Sequence, residues 1–193
     1  MLFLLLAACT ASDKPDDTAS LGETDTDRPA PGDFTLSLPA ATSSAGDPRA
    51  DECAWALDVT FECQNPSPEV RWENPPEGTV AFALVFDDPD AGEFDHWAVV
   101  NIPADATSLA AGASGSGITA DLPGDAYQLQ NGSGFDGYLG SCPPESHVYR
   151  WRLWALSELL PTDLDRFSQV ENQAADVALG EAATCHIYGP RSE

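Results

Sequence analysis

Residues 80–103 read Val80-Ala81-Phe82-Ala83-Leu84-Val85-Phe86-Asp87-Asp88-Pro89-Asp90-Ala91-Gly92-Glu93-Phe94-Asp95-His96-Trp97-Ala98-Val99-Val100-Asn101-Ile102-Pro103. The first seven are apolar without interruption, which is strand length and predicts a central strand covered on both faces. The Asp-Pro-Asp-Ala-Gly segment that follows carries turn residues. Residues 96–102 then form a second β-like run that opens at His96-Trp97. Two strands joined by an acidic, proline-stiffened loop make this a β protein.

Further strands are predicted on both sides. Phe34, Leu36 and Leu38 alternate with small or polar residues, as do Cys53, Trp55, Leu57, Val59 and Phe61, which fits strands with one buried face. In residues 149–156, Tyr149, Trp151, Leu153 and Ala155 share one face, with Arg150 and Arg152 on the other. Trp55, Trp72, Trp151 and Trp154 are expected in the core or between sheets. Pro-rich turns separate these runs at Asn65-Pro66-Ser67-Pro68, Asn74-Pro75-Pro76 and Cys142-Pro143-Pro144. One helix is expected near the C-terminus, where Val170, Ala174, Val177 and Ala178 recur at helical spacing. Ser168 and Glu171 are its expected capping box, and Gly180 weakens its end. The fold class is mainly β, leaning antiparallel, with a C-terminal helix.

The N-terminal residues read differently. Residues 2–8 are apolar, too short to span a bilayer, and end in Leu6-Ala7-Ala8-Cys9, which resembles a bacterial lipoprotein signal with Cys9 lipidated. No Lys- or Arg-rich region precedes this run within the chain. Residues 10–32 are rich in Asp, Thr, Ser and Pro and read as a flexible tether. The expected organisation is a signal over 1–9, the tether over 10–32 and one domain over 33–193. The protein is then exported and held on the periplasmic or cell-surface side of a bacterial membrane by its lipid. The remaining cysteines, Cys53, Cys63, Cys142 and Cys185, allow three pairings, and an oxidising compartment makes one or two disulfides plausible. Their spacing argues against a structural zinc site. With 32 Asp and Glu against 8 Lys and Arg, the formal net charge is −24. Such a field excludes a nucleic-acid partner.

Two loop-to-strand junctions carry the residues able to do chemistry. The first runs from Asp87 to Trp97. The second is Gly134-Phe135-Asp136-Gly137-Tyr138-Leu139-Gly140, then Cys142-Pro143-Pro144 and His147-Val148-Tyr149. Rigid scaffolds often present binding residues on such loops. Taken singly, each residue has an ordinary explanation: a satisfied histidine, a turn aspartate, a packing tyrosine.

The order of motifs resembles the phosphatidylethanolamine-binding protein family, which includes the Raf kinase inhibitor proteins, from Phe34 to about Arg191. The matching landmarks are Asn65, Ser67-Pro68, Trp72, Pro76, Gly78-Thr79, Asp88-Pro89-Asp90-Ala91, His96-Trp97 and Asn101-Ile102-Pro103. They continue through Asn131, Gly134, Gly137-Tyr138, Gly140, Cys142-Pro143-Pro144, His147-x-Tyr149 and Ala155-Leu156. The resemblance implies a large antiparallel sheet packed with a smaller one. It also implies a shallow pocket for phosphate or a phosphorylated head group, lined by Asp88, Asp90, His96, Pro144, His147 and Tyr149. Histidine N–H groups and a tyrosine O–H can donate to phosphate oxygens. The carboxylates would orient or charge the imidazoles, favouring anion binding at mildly acid pH, or meet a ligand's ammonium group. Three positions depart from the family pattern: Gly92 and Ser141 stand where proline is usual, and Ser146 where glycine is usual. These changes reshape both pocket loops.

The reading these features favour is a non-catalytic binding protein for a small anion or phospholipid head group, with an unidentified protein as a further partner and no cofactor. One alternative is a metal-assisted phosphoester hydrolase using the Asp/His cluster. Another is a surface protein with a vestigial pocket. No Gly-x-Ser-x-Gly elbow supports a serine hydrolase. His186 matches no pocket motif and reads as structural or exposed.

Overall fold

The structure is a computed structural model that describes residues 32–188. The expected signal over 1–9 with Cys9, and the tether as far as residue 31, lie outside the described residues. Ten strands and one helix follow in chain order: β1 Thr35–Ser37, β2 Thr42–Ser43, β3 Trp55–Ala56, β4 Val70–Glu73, β5 Ala81–Asp88, β6 Phe94–Pro103, β7 Ser108–Leu109, β8 Tyr127–Gln128, β9 His147–Leu156, α1 Phe167–Val177 and β10 Ala178–Tyr188. Seven strands form a large sheet in the order β2-β3-β10-β9-β5-β6-β8, and β1-β4-β7 form a smaller one. The large sheet is mixed, because β3 and β10 run parallel while its other neighbours are antiparallel.

The apolar run after Val80 is the centre of that sheet, and every residue of β5 is buried. Period-two alternation divides it between two cores. Phe82, Leu84 and Phe86 face the small sheet, where they meet Leu36, Trp72, Tyr149, Trp151 and Leu153. Ala81, Ala83 and Val85 face the opposite way, where Phe167, Val170 and Ala174 of α1 cover them. As the alternation of β9 predicts, Trp151, Leu153 and Ala155 lie in the first core; Trp154 and Leu156 lie in the second.

Several sequence-based expectations fail for local reasons. Residues 53–61 do not form one strand. Asp58 accepts a hydrogen bond from the Thr60 amide at 2.9 Å and caps a single 3-10 turn, Val59–Phe61. Such a local side-chain bond competes with sheet pairing. Cys53 and Leu57 are buried, whereas Trp55 is 47% exposed and packs in no core. The helix has Arg166 at its N-cap with no side-chain cap. Ser168 lies within its first turn, Gln169 reaches back to the Asp165 amide, and Glu171 pairs with Arg152. Beyond α1 the chain does not fade at Gly180 but forms β10, paired with the whole of β9. His186 on that strand is fully buried. The disulfides are Cys53–Cys185, which ties β10 to the segment before β3, and Cys63–Cys142.

Candidate functional site

The site forms where three adjacent strands end on the small-sheet side of the large sheet. On β5 the alternation that buries Phe82, Leu84 and Phe86 carries on to Asp88. Asp87 points to the other face, where Arg150 Nε donates to it at 3.0 Å and Arg152 Nη2 at 3.2 Å. On β9 the same parity places His147 and Tyr149 beside Asp88.

His96 reaches this face by a different route. Phe86 pairs with Trp97 and Asp87 with Asp95, so His96 is the extra residue of a β-bulge. Alternation alone would turn it away from Trp97; the bulge re-aims it. Its ring packs 4.8 Å from Phe86, and 5.3 Å edge-on from Tyr149.

Asp88, His96, Pro144, His147 and Tyr149 all line one cavity of about 410 Å³, a size typical of small-molecule sites. Its floor is polar, with Asp88, His96 and Tyr149 at 3%, 5% and 1% exposure. Its rim is largely apolar: Ala91, Phe94, Leu139, Pro143, Pro144 and the Cys63–Cys142 disulfide. Asp90, the sixth expected residue, lies off the cavity wall. It is exposed, pairs with Arg49 and accepts from the Val148 amide at 2.8 Å. Those bonds hold its carboxyl below the usual carboxylate range, Arg49 contributing most.

The floor's proton positions follow from its partners. His96 Nδ1 lies 2.7 Å from the Leu139 carbonyl oxygen, which can only accept, so Nδ1 carries a proton and donates it. Burial holds this imidazole below its ordinary pKa, against the pull of Asp88 and Asp87. His147 Nδ1 lies 2.7 Å from Asp88 Oδ2 and donates to it, the arrangement by which a carboxylate fixes a histidine's tautomer and orientation. Asp88 Oδ1 also accepts from the Ala91 amide at 3.2 Å. The Tyr149 phenol is pushed well above its ordinary pKa by burial and then by Asp88, while hydrogen bonds from Ser141 and the Cys142 amide work against the shift. The two Nε2 atoms are the imidazole nitrogens left for a ligand.

Sequence reading missed the supports behind and beside this floor. Arg49 donates to Asp90 and to the Ser146 carbonyl at 3.1 Å, joining the two loops. Ser141 Oγ lies 2.8 Å from His186 Nε2, and Trp151 Nε1 donates to His186 Nδ1 at 2.9 Å. The His186 ring stacks on Tyr149 at 4.9 Å and 8°. Ser141 itself gave the only sequence signal, as a departure from the family pattern. The other departures also have structural content. Gly92 has φ +72° at the end of the 3-10 turn Pro89–Ala91, a value closed to proline. Ser146 Oγ is buried without a hydrogen-bond partner. Among the described residues no group of three or more His, Cys, Asp or Glu side chains could hold a metal ion.

Comparisons with known proteins agree with this geometry. The Phosphatidylethanolamine-binding protein family matches residues 50–191. The protein YbcL of Escherichia coli (strain K12) is 42% identical over 112 residues, which cover 53% of this chain and 61% of that protein. A relative from Methanothermobacter thermautotrophicus is 36% identical over 135 residues, covering 67% of this chain and 86% of that protein. A Mycobacterium tuberculosis protein named "Putative lipoprotein LppC" is 35% identical over 141 residues, covering 68% and 61%. The chain thus spans less than two thirds of the length of YbcL and of LppC in these matches. The crystal structure of YbcL, described as a member of the mammalian PEBP family, superposes with a TM-score of 0.69 at 27% identity. It covers 82% of this chain and 99% of the YbcL chain. A Chlamydia trachomatis chain shares the fold, with a TM-score of 0.66, 21% identity and 83% and 99% coverage. From β5 through β10, the strands, the cavity and the sequence match all give one result: the chain belongs to the phosphatidylethanolamine-binding protein family.

Proposed function

We propose that this protein is a non-catalytic binding module whose cavity takes a small anion or a phosphorylated head group. The observation that carries the reading is the convergence of Asp88, His96, His147 and Tyr149 at the floor of one cavity, from three neighbouring strands. Side chains fixed on strand ends hold a binding geometry better than side chains on free loops. The apolar rim suits the aliphatic part of a head group. We take these floor side chains as a binding set: neither the His96 nor the His147 ring is bonded to a serine hydroxyl or a thiol among the described residues.

The protein works outside the cytoplasm, anchored through a lipid on Cys9, and an unidentified protein partner approaches the same rim. The apolar run ending at Cys9, the name of the relative LppC and the two disulfides support this placement. Among the described residues no helix is long and apolar enough to cross a membrane.

The test is calorimetric titration of the purified chain with inorganic phosphate and phosphoethanolamine, beside the His147→Ala variant and a turnover assay on phosphate esters. Saturable binding that the variant loses, with no turnover, is the expected result. Absence of binding to the folded wild type sinks the anion reading, and turnover sinks the non-catalytic one.

A further inference from the structure

The donors on the cavity floor point inward. His96 spends its Nδ1 proton on the Leu139 carbonyl, and His147 spends its own on Asp88. Tyr149 lies within hydrogen-bonding reach of Asp88 as well. What a neutral His96 offers the cavity is the lone pair of Nε2, an acceptor. His147, bonded to Asp88 through Nδ1, presents its other ring nitrogen to the same cavity. A ligand that satisfies His96 must donate a proton to it.

We propose that the cavity reads the proton on its ligand: it holds an oxyanion that keeps an acidic O–H, such as a phosphate or a phosphate monoester in its singly ionised form, and rejects sulfate, which has the same shape and no proton. The O–H donates to His96 Nε2. No covalent bond forms or breaks. The inference rests on the cavity being an anion site and specifies which anions it accepts.

The surroundings of His96 support the acceptor role. Burial is the largest effect and opposes its charged form, as does His147 on β9 more weakly; the hydrogen bond to Leu139, then Asp88 and Asp87 at the end of β5, favour it. The buried His186 on β10 and the phenol of Tyr149 complete the titratable neighbours. Seating a fully ionised oxyanion against the Nε2 lone pair requires His96 first to take a proton that its site resists. A ligand that brings the proton avoids that step. An acceptor left without a donor in a buried site lowers affinity by at least about tenfold.

The experiment compares inorganic phosphate with inorganic sulfate on the purified chain by calorimetry, at matched ionic strength and at pH 6.5 and 5.0. Phosphate is expected to bind at least about tenfold more tightly than sulfate at pH 6.5, and the ratio should fall only once the pH is low enough to protonate the buried His96. For phosphoethanolamine, the phosphorus resonance of the bound ligand should report the singly ionised form at a pH above its second ionisation, near ~6. The variant His96→Gln, tested for fold by near-ultraviolet circular dichroism, should lose the phosphate-over-sulfate preference. Equal affinity of the wild type for the two ions overturns this inference and leaves the anion site standing. Failure of both ions to bind overturns the two together.

Discussion

The hydroxyl oxygen of Ser141 lies 2.8 Å from Nε2 of His186, with Ser141 2% exposed and His186 not exposed at all. Trp151 Nε1–H can only donate, so His186 Nδ1 accepts and Nε2 carries the proton that bonds Ser141. The neutral tautomer is therefore fixed from both sides, and the ring lies flat behind Tyr149.

This pair predicts an acid sensitivity. Burial lowers the His186 pKa to about 3, with His96 adding a smaller push in the same direction. In the unfolded chain the same residue titrates near ~6.5. The folded value is the lower one, so the unfolded state binds more protons once pH drops below ~6.5. The contribution is complete above that pH and is lost progressively as pH falls toward 3. The slope is about 1.4 kcal/mol per pH unit, up to about 5 kcal/mol in all. Urea midpoints between pH 7.5 and 4.5 should show His186→Gln less stable than wild type at neutral pH, with the gap narrowing on acidification. A gap that stays constant would remove His186 from the account of acid stability.

A second prediction concerns the two disulfides, which differ in accessibility. Cys142 is exposed and Cys63 half-buried, whereas Cys53 is 3% exposed. Mild reductant should open Cys63–Cys142 first. Gly140 and Cys63 still exchange backbone bonds with Cys63 and Ser141 at 2.7 and 3.1 Å, so the two segments stay in register. The Pro143-Pro144 rim beyond them loses its anchor. Thiol trapping with mass spectrometry should find Cys63 and Cys142 labelled before Cys53 and Cys185. Phosphate affinity should fall several-fold at that stage, while circular dichroism stays native. The loss of the cross-link lowers stability by about 4 kcal/mol on the chain-entropy account. Labelling of Cys53 and Cys185 first would contradict the ordering.

How much of this was legible follows from what each residue depends on. The run over 80–86, the parity of 149–156 and the order of the motif residues are local or linear signals. The run and the parity gave the sheet centre; the resemblance carried by the motif order implied the large and small sheets and named six pocket residues, five of which line the cavity. Asp90 was grouped with them by motif; its role as a tie to Arg49 depends on a contact 41 residues away in sequence. The strand β10 was missed because Ala178-Leu179-Gly180-Glu181-Ala182-Ala183 has little intrinsic strand preference. It is a strand because β9 offers it an edge and Cys53 a cross-link. Of the two readings of His186, structural or exposed, the first is the one seen: it is buried on this strand behind Tyr149. The bulge at His96 was equally silent, since a register slip belongs to the pair of strands and not to either sequence.

Gly140 gives a third prediction, and it rests on space, not backbone conformation. A Cβ at this position would run into the Phe61 carbonyl oxygen, with the Glu62 carbonyl carbon at 2.6 Å and the Cys63 nitrogen at 2.8 Å. All three are backbone atoms of the facing segment that leads into Cys63 on the cavity wall, and they cannot rotate aside. Gly140→Ala must therefore separate the segments that the disulfide and the two backbone bonds join. The expected cost is about 2 kcal/mol or more in denaturant unfolding, accompanied by weaker phosphate binding. Gly134→Ala is the control for glycine loss at a turn. Its Cβ meets nothing within 4 Å, although its φ of +86° still adds strain, so it should cost stability while leaving the cavity intact. Equal effects of the two substitutions on binding would show that the wall at Gly140 is not set by this close approach.

Arg49 supplies the last prediction, because it connects the loop after β5 to the loop before β9 without touching the cavity. Its guanidinium pairs with Asp90 and Glu52 and donates to the Ser146 carbonyl at 3.1 Å. Hydrogen bonds that it donates to Glu52 and then to Asp90 raise its already high pKa further, so its charge is constant at any working pH. The side chain is 24% exposed, and such partly solvated pairs contribute about 1 kcal/mol or less each. Arg49→Met should therefore cost only about 1 kcal/mol in stability. Its effect on binding should be larger in proportion, since Ser146 immediately precedes His147, whose orientation against Asp88 sets the cavity floor. The expected outcome is a several-fold loss of phosphate affinity. Arg49→Lys should restore the charge but not the fork that spans three partners, and so recover stability better than affinity. If Arg49→Met binds phosphate like the wild type, the floor is held by β9 alone and the Arg49 link is only a surface pair.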